Sequence, residues 1–69
     1  MDFEPVSSSN IDAVAYDGVL KELGVRFKGG SEYRYYEVEP NVYEEFMAAD
    51  SKGSYFHANI RNTFRFKKV

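Results

Sequence analysis

The chain has 69 residues, enough for one small domain, and a domain of this size buries only about 60% of the surface its unfolded chain exposes. It contains no cysteine, which excludes a disulfide framework, thiolate metal sites and cysteine nucleophiles, and no tryptophan, so its six Tyr and six Phe carry much of the core volume. Formal charge is −2, no apolar run approaches the roughly 18 residues that span a bilayer, and Met1-Asp2-Phe3-Glu4 lacks the pattern of a signal peptide. These features predict one cytoplasmic domain over residues 1–69, with no membrane partner.

In chain order, residues 1–9 read as an irregular lead, with Pro5 and the Ser7-Ser8-Ser9 run fitting a loop. The short polar side chains of Ser7 to Asn10 suit an entry turn before the first strand, and they are also of the kind that line binding sites. Ile11 to Tyr16 alternates as a strand, with Ile11, Ala13 and Ala15 on one parity. Asp17-Gly18 is the dipeptide of a two-residue hairpin turn, which predicts a second strand over Val19–Lys28. Gly29-Gly30 turns the chain into a third strand over Glu32–Val38, where Tyr33 and Tyr35 share one face and Arg34 and Tyr36 the other. Alternation fails near Tyr36, which predicts a bulge or a strand end.

The period then changes. Pro40 suits a first helical position, and Val42, Tyr43, Phe46 and Ala49 form one helical stripe, with Glu44 and Glu45 off it. Ser51 is a candidate cap for a second helix that buries Tyr55, Phe56 and Ile60, although Gly53 weakens its first turn. Thr63 to Lys68 alternates aromatic and basic residues, as a short strand or an extended tail would. The predicted class is α+β: a three-stranded antiparallel meander, then two short helices packed on one face, with a possible extended C-terminal segment.

Charge is unevenly placed. Residues 1–50 hold all eleven acids and four bases, a net of −7, whereas residues 51–69 hold five bases and no acid. A basic end of this kind either meets a polyanion or pairs with the chain's own acidic helix, at Glu44 and Glu45 in particular. Catalysis finds little to work with. His57 is the only histidine, no nucleophile-elbow motif surrounds Ser54, and no carboxylate and histidine spacing suits a metal. Gly29-Gly30 lacks the Lys-Ser/Thr of a phosphate loop. We therefore expect a non-enzymatic protein without metal or cofactor.

Binding has more support. Exposed aromatic rings stack on unpaired bases, and neighbouring cations take phosphates. Tyr33 and Tyr35 are candidates for core as much as for such a surface, and Tyr36, on the other parity, is the better candidate for a solvent-facing ring. With it, Arg34, Arg61, Arg65, Lys67 and Lys68 form the candidate nucleic-acid-binding set; the alternative is that Phe64 and Phe66 anchor the end while the cations stay in water.

Several strings carry a resemblance: Pro5 to Ile11, Tyr16-Asp17, Leu23 to Phe27, Tyr33-Arg34-Tyr35, Val42-Tyr43, Gly53 to Phe56, and Ile60-Arg61. Together they resemble the KTSC domain, which is named for its place at the C-terminus of some lysyl-tRNA synthetases and also occurs as small stand-alone proteins of bacteria and phages. The family hallmark, Tyr-x-Tyr, stands here as Tyr33 and Tyr35. Ala15 departs from the family's frequent Gly, His57 from its usual Asn, and Phe64 and Phe66 from its Tyr-Pro-Tyr-like end, which removes two hydroxyls there. The resemblance implies RNA, as tRNA or a single strand, as the expected partner. A bacterial or phage interaction module acting on a host protein is the alternative, favoured by the acidic first fifty residues. A chain this small and aromatic also suggests a homodimer.

Overall fold

A computed structural model describes residues 1–69. The sheet has five antiparallel strands in the order β1-β2-β3-β4-β5, where three were expected. Strands β2 (Ile11–Asp17), β3 (Glu22–Phe27) and β4 (Glu32–Tyr35) form the anticipated meander. The two additional strands lie at its edges. β1 is only Glu4–Pro5, pairing with Val14 and Ala13. Two residues cannot show a period, and proline is tolerated at a sheet edge because no N–H is needed there. β5 is Phe66–Lys68, which returns after the helices to pair with β4, so the end is a strand and not a tail.

The turns differ in detail. The connection after Asp17 has four residues, not two. Asp17 Oδ1 accepts from the backbone N–H groups of Val19 (2.9 Å) and Leu20 (3.1 Å), and Lys21 takes a left-handed φ of 56°. The aspartate side chain thereby replaces the tight turn, β3 starts at Glu22, and Val19 is left 92% exposed. The Gly29-Gly30 turn forms as expected, with Gly30 at φ 101° and its N–H donating to Phe27 O. β4 stops at Tyr35, short of Val38 but at the strand end expected near Tyr36, and Glu37 adopts φ 58°.

An irregularity between Ile11 and Ala13 resets the parity of β2. Ile11, Val14 and Tyr16 consequently face the helices, whereas strict alternation groups Ile11 with Ala13 and Ala15. Helix α1 (Pro40–Ala48) buries Phe46 and lays Val42, Tyr43 and Met47 against the same core; Ala49 closes the helix instead of lying within it. Tyr43 stacks on Tyr16 at 4.5 Å, and the Tyr16 hydroxyl donates to Val38 O at 2.6 Å. Ser51 caps α2 (Lys52–Tyr55) by accepting from the Ser54 N–H. The chain then continues as a π-helical turn, Phe56–Ile60, in which the Arg61 N–H reaches Phe56 O. Phe56 and Ile60 are buried in the core with Leu23, Val25 and Tyr35.

The far face of the sheet has its own cover. Phe3 and Met1 lie over Gly24, where an added Cβ would sit 2.9 Å from Phe3 Cζ, and the Arg26 guanidinium stands 4.2 Å from the Phe3 ring centre. Ser8 Oγ accepts from the N–H groups of Asn10 and Ile11, which makes the serine run an entry turn to β2.

Candidate functional site

Register decides which side chains meet at the β4–β5 end of the sheet. Tyr33 pairs with Lys68, Arg34 with Lys67, and Tyr35 with Phe66; the Tyr36 N–H then donates to Arg65 O. Successive residues point to opposite faces. Tyr33, Tyr35, Phe66 and Lys68 therefore share the helix-facing side, whereas Arg34, Tyr36, Arg65 and Lys67 share the far side.

On the helix-facing side a cleft of about 450 Å³ opens between this edge and the π-helical turn. Phe27, Tyr33, Tyr35, Phe56 and Phe66 make its aromatic wall, and Ser31, His57, Arg61 and Asn62 its polar rim. The rings touch in series, with Tyr33 and Tyr35 6.5 Å apart, Tyr35 and Phe66 5.7 Å apart, and Phe56 edge-on to Tyr35 at 5.4 Å. Tyr35 is buried at 3% exposure while Phe66, at 54%, forms the lip. The hallmark pair thus serves both readings at once: its ring bodies are core and its outer surface lines a cleft.

The π-helical turn positions the rim. Such turns are rare and are found frequently at functional sites. Here the turn sets His57 and Arg61 side by side, with the Arg61 guanidinium donating to His57 Nδ1 at 3.3 Å. Burial pushes the Tyr35 phenol above its ordinary pKa, the neighbouring Tyr33 pushes the same way, and the Arg61 charge pulls it back. Arg61 therefore acts electrostatically on the Tyr35 hydroxyl.

The six expected binding residues do not form one patch. Arg34 lies on the far face with Glu22 at 3.6 Å and Glu32 at 3.8 Å, so its charge is matched. Tyr36 lies beside it, covered by the Arg65 guanidinium at 5.3 Å from the ring centre, and Lys67 follows on that face. Arg61 and Lys68 belong to the cleft side. Arg61, Arg65, Lys67 and Lys68 form no ion pair within 4.0 Å, and Glu45 instead accepts from the Tyr55 hydroxyl. The basic end is not neutralised by the acidic helix. Its cations flank the β4–β5 edge from both faces.

Phe27, Ser31, Phe56, His57, Asn62 and Phe66 complete the cleft and are absent from the expected set. Phe66 has a signal in the alternating aromatic–basic end; the other five come together only through tertiary closure. No group of three or more His, Asp or Glu side chains is placed to hold a metal ion, and no helix is long and apolar enough to cross a membrane.

Comparison with known proteins agrees with this architecture. The family model of the KTSC domain matches residues 7–64. A protein of Tsukamurella paurometabola is 42% identical over 62 residues, covering 90% of this chain and 92% of the relative. The lysine–tRNA ligase of Nostoc sp. is 38% identical over 61 residues, which cover 88% of this chain and 11% of the ligase. The crystal structure of a KTSC domain protein from Yersinia pestis superposes with a TM-score of 0.93 at 35% identity, covering 99% of this chain and 96% of that one. With the match running over most of its length and the Tyr33-x-Tyr35 pair walling the cleft, this chain belongs to the KTSC domain family.

Proposed function

We propose that the domain is a non-enzymatic module that binds single-stranded RNA along the β4–β5 edge. The observation that carries the reading is the unpaired state of Arg61, Arg65, Lys67 and Lys68 around an aromatic cleft, in a chain of net charge −2. Phosphates are drawn by the cations and bases find exposed ring surface at Phe66, which is the division of labour in single-strand binding. The ligase relatives favour tRNA as the natural strand, and a tRNA ligand implies a cytoplasmic protein. The test is a binding titration of the whole chain with tRNA and with a short unstructured RNA at about 50 mM salt. Binding of either supports the reading, and no binding of both removes it.

A protein partner is the second reading, favoured by the tip of the β2–β3 loop. There Val19 and Leu20 are 92% and 62% exposed on a turn pinned by Asp17. Adjacent exposed apolar side chains on a fixed backbone suit a protein contact. Loss of a co-purifying protein on Val19→Ser with Leu20→Ser, with RNA affinity unchanged, is the result this reading expects.

A further inference from the structure

The cleft contains a feature that a general basic edge does not require. Of eleven carboxylates in the chain, none lines it. Its polar groups are hydroxyls, an amide, an imidazole and the Arg61 guanidinium. The tyrosine hydroxyls are also differently employed. The Tyr16 hydroxyl donates to Val38 O and the Tyr55 hydroxyl to Glu45, whereas the hydroxyls of Tyr33 and Tyr35, like those of Tyr36 and Tyr43 outside the cleft, have no partner within the protein, and none is sealed from solvent. The two rings come from a single strand with 30° between their planes, and both line the cleft together with Arg61. Two neutral O–H donors and one guanidinium, with no acid nearby, form a seat for an anion. The aromatic wall beside it, ending in the half-exposed Phe66, accepts a flat ring. A volume of about 450 Å³ lies in the range of small-molecule sites and suits one nucleotide, not a duplex.

We infer that the cleft seats a single nucleotide unit, with its phosphate held by the Tyr33 and Tyr35 hydroxyls and the Arg61 guanidinium and its base against Phe66. This rests on the RNA-binding reading and adds to it which group the Tyr-x-Tyr pair recognises: a phosphate, not a base edge. Burial keeps the Tyr35 phenol neutral and able to donate, and Arg61 is near enough to act on it electrostatically. His57 holds Arg61 at the rim by accepting its hydrogen bond, which makes it a positioning residue.

The experiment is an amide-resonance titration of the whole chain with adenosine monophosphate, ribose 5-phosphate, adenosine and N-acetylphenylalanine. Adenosine monophosphate is expected to shift the amides of Tyr33, Tyr35, Arg61 and Phe66. Tyr35→Phe and Arg61→Gln keep the fold, since neither the hydroxyl nor the exposed guanidinium supports the core. Each is expected to weaken adenosine monophosphate and ribose 5-phosphate about tenfold, the scale of a hydrogen bond to a charged group, and to leave adenosine unchanged. Phe66→Ala is expected to weaken the monophosphate and adenosine and to spare ribose 5-phosphate. Unchanged monophosphate affinity in Tyr35→Phe and Arg61→Gln overturns the seat, as does binding of N-acetylphenylalanine in place of the nucleotide. If Tyr35→Phe, which removes no cation from the edge, leaves monophosphate affinity unchanged while the parent still binds unstructured RNA, the seat fails while the edge reading stands. If neither RNA nor nucleotide binds the parent, both fall.

Discussion

Replacing the four unpaired cations around the β4–β5 edge one at a time should change how RNA affinity depends on salt, by an amount the structure sets. A single strand releases counterions so that log K falls with log salt at about −0.7 per neutralised phosphate. Arg61, Arg65, Lys67 and Lys68 lack carboxylate partners, which gives four phosphate contacts and a slope of about −2.8. Between 50 and 200 mM salt the affinity should then fall about 50-fold. Arg65→Ala or Lys67→Ala leaves three contacts, a slope of about −2.1 and a fall of about 20-fold. Arg34→Gln is the contrasting case. Its guanidinium is already matched by Glu22 and Glu32, so the slope should stay near the parent value although Arg34 lies on the same strand. Fluorescence anisotropy of a labelled unstructured RNA across that salt range reads these slopes directly. A parent slope shallower than about −1, or a change in Arg34→Gln as large as in Lys67→Ala, would refute the reasoning.

Phe46 is fully buried between the sheet and Tyr55, so Phe46→Ala should cost about 3–5 kcal/mol. A domain of this length holds about 3–10 kcal/mol in total, so a thermal melt followed by circular dichroism should show a fall in Tm of more than about 10 °C. Burial raises the phenols of Tyr16, Tyr35, Tyr43 and Tyr55 above 10.0, so on alkaline titration the unfolded chain loses these protons first. The stability they contribute is complete below pH 10 and disappears as pH rises through the higher folded values, which melts between pH 9 and 12 should record as a falling Tm. A Tm that rises over this window contradicts that assignment.

The parts of the fold with a period were legible in the sequence. The alternation in Leu23, Val25 and Phe27 and the helical stripe through Phe46 correspond to β3 and α1. Features shorter than one period were not. Glu4–Pro5 pairs because β2 offers an edge, and Phe56 and Ile60, four apart, have the spacing of an ordinary helical face, so nothing in their pattern marks the π-helical turn. At Asp17-Gly18 the aspartate side chain supplied the backbone contacts that a two-residue turn would otherwise provide. The site was half visible. The unequal distribution of charge and the Tyr33-x-Tyr35 pair pointed to this end of the molecule, but β5 turns Lys67 and Lys68 to opposite faces. Ser31, His57 and Asn62 are brought to the cleft by tertiary closure, which no local pattern encodes.

The most direct measurement is a map of amide-resonance shifts on adding a short unstructured RNA to the whole chain at low salt. Ser31 to Tyr36, His57 to Asn62 and Arg65 to Lys68 should move together, while the Val19–Leu20 tip and the outer side of α1 at Glu44 and Glu45 stay fixed. Shifts centred on that tip or on α1, with the cleft silent, would contradict the account.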